Sequence, residues 1–139
     1  MLNDIQNEII EEFSIFDEWL DKYEYIIEQS TALPEIEPAH KNNNYLIEGC
    51  QSRVWIDAKL NHDGKIEFSA DSDAIITKGI IALLIRVLNN LSPQEVLNAD
   101  LYFIDKIGLS QNLSPTRANG LVAMIKQMKM YALAYQNKA

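Results

Sequence analysis

The chain contains one cysteine, Cys50, and its side chain offers the clearest chemistry in the sequence. It follows Gly49, which permits a tight or left-handed backbone, and it precedes an alternating apolar segment instead of lying within it. This position predicts a loop tip, where functional groups are often displayed. Arg53 lies three residues further on, and a nearby cation favours the nucleophilic thiolate over the thiol. A buried cysteine acting as a small apolar side chain is the alternative that these residues leave open.

A single cysteine excludes an internal disulfide, a CxxC redox pair and a multi-cysteine metal site. The two histidines, His40 and His62, fall in predicted loops, and their spacing does not match a zinc site. Asp71 and Asp73 resemble part of a cation loop, but residues before a predicted helix are better explained as caps that accept its free amides. The sequence has neither a glycine-rich phosphate loop nor a nucleophile elbow.

The composition indicates one folded domain covering residues 1–139. Hydrophobic residues make up 47% of the chain and charged residues 23%, which is enough apolar material for a core. The net charge of −8 argues against nucleic-acid binding. No apolar run reaches the roughly 20 residues that span a bilayer, and the N-terminal sequence lacks the features of a secretory signal. We therefore expect a cytoplasmic protein that binds neither nucleic acid nor membrane.

Acidic charge is concentrated in the first 37 residues. They hold eleven acidic residues and one basic residue, whereas the rest of the chain holds nine acidic and eleven basic residues. The solvated face of a helix would explain this bias. A docking surface for a basic partner is the alternative, because complementary potentials speed encounter and fix orientation.

Hydrophobic periodicity predicts an α+β fold in which helices pack on a small antiparallel sheet. In the first segment, apolar residues recur every three or four positions, which predicts one long amphipathic helix that ends before residue 33. Asn3 and Gln6 resemble a capping box at its start. Its expected apolar stripe is Ile5, Ile9, Phe13, Phe16, Leu20, Tyr23 and Ile27. Residues 31–44 are expected to form an irregular connection.

The middle of the chain changes to the two-residue repeat of strands. Apolar and polar residues alternate over 54–60 and again over 65–69, and the turn sequence NHDG separates the two runs. This pattern predicts an antiparallel hairpin with Trp55 in the core. Because a two-stranded hairpin is not stable alone, we expect it to lie on helices or to gain a third strand from residues 45–47.

Helices are predicted again after the hairpin. Residues 74–91 are apolar almost all round, which is typical of a central core helix. The sequence SPQE at 92–95 combines a capping Ser, a Pro at the first helical position and a Glu at the third, so a short helix begins there. A second Ser-Pro pair at 114–115 begins the last helix. The apolar stripe of that helix includes Leu121, Met124, Ile125, Met128, Tyr131 and Tyr135.

Three segments resemble motifs of the SufE family of sulfur acceptors in iron–sulfur cluster assembly, and they occur in the family's order. Residues 49–55, GCQSRVW, resemble the active-cysteine segment of the family. Residues 70–74 and 78–82 are similar to the start of its central helix, and residues 113–121 to the SPxRxxGL start of its last helix. The similarity extends over most of the chain and implies a SufE/NifU-like fold.

The resemblance also implies a function. A SufE-like protein activates a cysteine desulfurase that depends on pyridoxal phosphate, takes the terminal sulfur of its persulfide and passes it to an Fe–S scaffold complex. Cys50 would be the nucleophile and the persulfide carrier. No independent catalysis and no cofactor of its own are expected, since the pyridoxal phosphate belongs to the desulfurase. The chain itself is expected to be a monomer or a weak dimer.

The resemblance further implies a set of residues that shape the cysteine loop or contact the partner. These residues are Gly49, Gln51, Ser52, Arg53, Asp71, Asp73 and Arg117. For the two aspartates, capping of the following helix is the simpler explanation. Arg117 stands in the first turn of the last helix, where the helix dipole disfavours a cation. This placement indicates a specific contact with the cysteine loop or the partner, or else a structural salt bridge.

The sequence is also compatible with two other functions. The first is a single-cysteine thiol redox protein, which would need a cationic environment around Cys50 and an external thiol for recycling. The second is a protein-interaction module in which the acidic N-terminal helix is the working surface and Cys50 is inert.

Overall fold

The part of the chain that the structure describes contains seven α-helices, two 3-10 helices (Ser30–Ala32 and Pro38–His40) and one two-stranded sheet. This structure is a computed structural model, and it describes residues 2–47 and 52–138. The helices are α1 (Leu2–Phe13), α2 (Trp19–Gln29), α3 (Ile75–Leu88), α4 (Pro93–Asn98), α5 (Phe103–Lys106), α6 (Leu109–Asn112) and α7 (Pro115–Lys138). The strands are β1 (Val54–Leu60) and β2 (Ile66–Ser72), and they pair antiparallel from Val54–Ser72 to Leu60–Ile66. The predicted α+β class and the predicted hairpin are confirmed.

Helix α3 is the centre of the core, as its all-round apolar sequence predicts. Its buried residues are Ile76, Thr77, Gly79, Ile80, Ile81, Ala82, Leu83, Leu84, Ile85, Val87 and Leu88. A helix that is apolar on every side needs neighbours on every side. Helices α1, α2 and α7 and strand β2 all contact it and supply those neighbours.

The charged residue near the end of α3 joins three helices. The Arg86 guanidinium binds Glu8 at 3.0 Å and both carboxylate oxygens of Glu12, so it holds α1 against α3. The Tyr25 hydroxyl of α2 donates to the same Glu12 carboxylate at 2.6 Å. The hydrogen bond from Arg86 lowers the pKa of Glu12, which keeps this link ionised at neutral pH.

Helices α2 and α3 approach each other closely at Gly79. A Cβ atom at this position would lie 2.0 Å from the carbonyl oxygen of Ile26, far inside van der Waals contact. Ile26 is the buried residue of α2, so the contact lies in the core. The absence of a side chain at Gly79 therefore sets how near the two helices can pack.

The prediction of one long N-terminal helix is wrong. Helix α1 ends at Phe13, where the Ser14 hydroxyl donates to the carbonyl of Glu11 at 2.6 Å and competes with the helical hydrogen bonds. The chain then turns, and α2 begins at Trp19 with a new phase of its apolar face. As a result, Leu20 of the predicted stripe is 67% exposed.

Gln6 does not form the predicted capping box. Its side chain is fully buried, and its amide nitrogen donates to the carbonyl of Asp100 at 3.0 Å. Its amide oxygen accepts a hydrogen bond from the backbone N–H of Phe103 at 3.1 Å. Gln6 therefore joins α1 to the connection between α4 and α5, because a buried amide must find partners wherever the tertiary fold offers them.

Residues 45–47 pair with β1 in a shorter stretch than the predicted third strand. The Ile47 N–H donates to the carbonyl of Val54 at 2.8 Å, and the Ile56 N–H donates to the carbonyl of Tyr45 at 3.1 Å. Two tyrosines of α7 bind the same strand, since the hydroxyls of Tyr131 and Tyr135 each donate at 2.7 Å to a backbone carbonyl of β1. The outer edge of β1 is thereby covered, which protects it from pairing with another chain.

Both predicted Ser-Pro helix starts are observed. Ser92 and Glu95 form the complete capping box of α4. Helix α7 begins at Pro115, and the Ser114 hydroxyl accepts a hydrogen bond from the Arg117 N–H at 3.3 Å. Among the helices described, none has the length and apolar character needed to cross a membrane.

Replacing Gly79 with alanine tests the close helix approach. Gly79→Ala is expected to lower the free energy of unfolding by about 3 kcal/mol or more, because the new Cβ forces α2 away from α3. The measurement is urea denaturation followed by circular dichroism.

Gly64→Ala is the matched control. Gly64 has φ +74° in the hairpin turn and nothing within 4 Å of a built Cβ. Only the left-handed backbone is strained there, at a cost of about 1–2 kcal/mol. A Gly79→Ala variant as stable as Gly64→Ala would contradict the close approach.

Candidate functional site

Three segments that are distant in the sequence line one cavity of about 210 Å³. One lining residue, Ser52, precedes β1; others belong to the start of α3, and the rest to the first turns of α7. The lining residues are Ser52, Ala74, Thr77, Ile80, Thr116, Arg117, Gly120 and Met124. Each of the three sequence motifs singled out above therefore contributes to the same cavity.

Three predicted site residues, Gly49, Cys50 and Gln51, lie outside the described part of the chain. Residues 48–51 are called the cysteine segment below, and the described residues on either side of it are Ile47 and Ser52. Ile47 is bound to Val54 of β1 through its N–H, as noted above. The Ser52 hydroxyl lies 3.1 Å from the hydroxyl of Thr77, which is buried in the first turn of α3. Both flanks of the cysteine segment are thus attached to the core of the fold.

Arg53 is held through its backbone by the junction between β2 and α3. The Asp73 carboxylate accepts the Arg53 N–H at 2.9 Å, and the Asp73 N–H donates back to the Arg53 carbonyl at 3.2 Å. The Ser72 hydroxyl donates to the same carbonyl at 2.7 Å. Three hydrogen bonds therefore fix the backbone just after the cysteine segment, while the Arg53 side chain is exposed.

The prediction that Asp73 caps α3 is wrong. The residue that precedes α3 is Ala74, and no side chain caps the helix there. The register of the sheet explains the difference: Val54 pairs with Ser72, so the next residues outward, Arg53 and Asp73, lie opposite each other. The Asp73 carboxylate therefore lies next to the Arg53 N–H and accepts its hydrogen bond instead of one from the amides of α3.

Asp71 does not cap α3 either, because its carboxylate forms ion pairs with two lysines. Lys41 lies 2.8 Å away and Lys78 of α3 lies 3.4 Å away. The Lys41 ammonium also lies 4.9 Å from the ring centre of Trp55, which is buried as predicted. Asp71 therefore joins the connection before the cysteine segment to α3.

The pKa of Asp71 reflects these contacts. Partial burial acts to raise it, but hydrogen bonds from Lys41 and the Ser72 N–H, together with the charges of Lys41 and Lys78, lower it below the usual value. The group is consequently ionised at neutral pH. Its stabilising effect is present above the ordinary aspartate pKa and is lost as the pH falls through the lower folded-state value.

Among the described residues that line the cavity, Arg117 carries a charge and the others are neutral. It is half-buried, and within the described residues its guanidinium makes none of the salt bridges found. The other lining groups are neutral hydroxyls and apolar side chains. A small, partly open space lined by Arg117 and by several hydroxyls suits a small anionic or polarisable group, such as a thiolate.

Sequence reasoning missed the two hydroxyls that complete this site. Thr77 is a buried polar residue within an almost wholly apolar helix, and this isolated hydroxyl was the available signal. Ser72 lies between Asp71 and Asp73. Because these three residues were interpreted together as the start of a helix, the contact of Ser72 with Arg53 was not predicted.

The histidines do not take part in this site. His40 binds Asp57 with 2.5 Å between Nδ1 and Oδ2 and stacks on Tyr45, beside a different cavity. Over residues 2–47 and 52–138, no cluster of three or more His, Cys, Asp or Glu side chains could hold a metal ion.

Comparison with known proteins gives two findings. The family model SufE, described as an Fe–S metabolism associated domain, matches residues 7–132. The fold is similar to the solution structure of a hypothetical protein from Thermus thermophilus, with a TM-score of 0.78, 21% sequence identity and 96% of each chain covered. At this identity, the structural match shows a common fold.

Asp73→Ala is expected to release the backbone at Arg53. Loss of a hydrogen bond to a charged acceptor removes about 1.5–3 kcal/mol, so the Arg53 amide should exchange with solvent at least about tenfold faster. Amide exchange followed by NMR measures this rate. Asp73→Asn keeps an oxygen acceptor and is the control; equal protection of Arg53 in the wild type and in Asp73→Ala would contradict the contact.

Proposed function

We propose, from the premise that this chain belongs to the SufE family of Fe–S metabolism associated domains, that it accepts sulfur on Cys50 and delivers it for cluster assembly. The donor is a cysteine desulfurase and the recipient is an Fe–S scaffold complex. One observation carries the proposal: the three motifs converge on a single cavity that begins two residues after Cys50.

The transfer is a thiolate displacement that balances without a further reagent. The Cys50 thiolate attacks the terminal sulfur of a persulfide on the desulfurase, and a new S–S bond forms at Cys50. The S–S bond on the desulfurase breaks at the same time, and its cysteine leaves as a thiolate. The transferred sulfur keeps its oxidation level, so the step needs neither an oxidant nor a reductant.

Chain connectivity supports a role for the cavity in this step. Two residues of extended chain span at most about 7 Å, so the Cα of Cys50 cannot lie farther than that from the Cα of Ser52. Ser52 lines the cavity together with Arg117. This limit keeps Cys50 in the neighbourhood of the cavity, where a cation would favour the ionised form of a thiol or a persulfide.

The contacts on both sides of the cysteine segment suit a carrier. Ile47 is bound to Val54, and Arg53 is bound to Ser72 and Asp73. These contacts keep the two flanks in place while sulfur is taken from the donor and passed to the recipient. Fixed flanks lower the entropy that must be lost each time the segment docks.

The chemistry of the carrier needs little else from this chain. A single cysteine cannot release the carried sulfur by forming an internal disulfide. The pyridoxal phosphate that generates the persulfide resides on the desulfurase, and this chain, a single domain, acts without a cofactor of its own as a cytoplasmic monomer or weak dimer.

Incubation with a cysteine desulfurase, pyridoxal phosphate and free cysteine tests the function. The expected result is a gain of one sulfur atom in the intact mass of the chain, reversed by a thiol reductant. Cys50→Ser is expected to show no gain, because the attacking thiolate is absent.

Two results would overturn the proposal. One is an unchanged mass with every desulfurase of the same cell, and the other is an equal gain in the Cys50→Ser variant. The first result together with full binding of the desulfurase would favour the interaction module; rapid consumption of peroxide would favour the thiol redox protein.

Replacing Arg117 tests the charge in the cavity. Arg117→Met is expected to raise the pKa of the Cys50 thiol and to slow its alkylation at neutral pH, because the thiolate loses a nearby cation. Arg117→Lys keeps the charge and should retain most of the rate. The pH dependence of iodoacetamide alkylation gives both quantities, and identical profiles for the wild type and Arg117→Met would refute this role.

A further inference from the structure

Helix α7 has two apolar faces, and the core accounts for only one of them. Leu121, Met124 and Met128 are buried, as the predicted stripe requires. A second set of large apolar side chains points outward: Val122 is 64% exposed, Met130 53% and Leu133 48%. Spacings of eight and three residues place this second set on one side of the helix.

The outward face borders an apolar groove that has two lysines among its lining residues. The groove has a volume of about 420 Å³ between α4 and α7. Its lining residues are Leu97, Val122, Ile125, Lys126, Lys129, Met130 and Leu133. Helix α7 carries four basic residues and no acidic residue, in a chain whose net charge is −8. We call this surface the α7 groove; exposed apolar surface with a polar rim is typical of a binding site.

The turn between α1 and α2 has the opposite character. Ile15 is 75% exposed and Leu20 is 67% exposed. Apart from Lys22, which donates to the carbonyl of Ile107, the charged residues beside them are acidic and exposed, and they are Asp17, Glu18 and Asp21. We call these five residues the acidic corner. Its apolar side chains match those of the α7 groove in kind, and its charges are opposite in sign to the lysines there.

We propose that the acidic corner of one copy of the chain docks into the α7 groove of a second copy. The apolar side chains of the two surfaces would exclude water from the centre of the contact, and the exposed Lys126 at the rim would face the acids. Lys129 adds positive charge nearby, but its ammonium donates to the carbonyls of Leu97 and Ala99 in its own chain. Ile15, Leu20, Val122 and Met130 are all exposed within a single chain, so the two surfaces do not cover each other there.

The contact is heterologous, because it uses a different surface from each copy. The groove has seven lining residues, fewer than a standard interface presents on each side, so the association is weak and sensitive to salt. It is also separate from the cavity beside the cysteine segment, whose α7 residues are Thr116, Arg117, Gly120 and Met124. Self-association and sulfur transfer can therefore be tested independently.

Sedimentation velocity of the whole chain over a range of concentrations tests the proposal, in reducing buffer so that Cys50 cannot cross-link two copies. The wild type is expected to show a mean mass that rises with concentration and falls when salt is added. Met130→Glu places a negative charge in the groove, and Leu20→Lys places a positive charge in the acidic corner. Each is expected to weaken the association constant at least about tenfold.

Mixing the two variants distinguishes this contact from others. Met130→Glu retains an intact corner and Leu20→Lys retains an intact groove, so an equal mixture should form a one-to-one dimer that does not grow further. The matched controls are Gln111→Glu and Asp63→Asn, which make the same changes of charge at exposed positions on α6 and in the hairpin turn. They should associate like the wild type.

Three results would overturn the proposal. The wild type remains monomeric at every concentration, or the mixture of variants remains monomeric although the wild type associates. The third is an association lost in Met130→Glu but unchanged in Leu20→Lys, which would assign the groove to pairing between two α7 helices. Circular dichroism of each variant confirms that the substitutions at these exposed positions leave the fold intact.

Discussion

The close contact between α2 and α3 at Gly79 is the constraint on which the rest of the molecule depends. A Cβ there would lie 2.0 Å from the carbonyl oxygen of Ile26, so the core closes around α3 only with glycine at this position. The two preceding residues of the helix are Thr77, which contacts Ser52, and Lys78, which contacts Asp71. The packing that Gly79 permits therefore also positions the side of α3 that faces the cysteine segment.

The junction between β2 and α3 connects the packed core to both flanks of the cysteine segment. Asp71 binds the connection before the cysteine segment through Lys41, and Ser72 and Asp73 bind the backbone just after it. Three consecutive polar residues thus attach both flanks to the same point of the core. Helix α7 then adds Arg117, so one small cavity combines hydroxyls, apolar surface and a positive charge.

Local signals in the sequence predict much of the fold but not its tertiary contacts. The alternating strands, the NHDG turn, the apolar α3 and both Ser-Pro helix starts are encoded within short segments, and all are observed. The turn after Phe13 and the burial of Gln6 depend on partners far along the chain, so periodicity missed them. Asp73 could satisfy the amides of α3 or that of Arg53, and only the register of the sheet decides between them. Cys50 remains a prediction from the sequence.

We expect sulfur carried on Cys50 to lie beside the cavity formed by Ser52, α3 and α7. Amide NMR spectra of the thiol form and of a chemically prepared Cys50 persulfide test this claim without any partner. We expect the amide signals of Ser52, Thr77 and Arg117 to shift and those of the α7 groove to stay unchanged. Unchanged signals from Thr77 and Arg117 would contradict it and would place the chemistry of Cys50 elsewhere on the molecule.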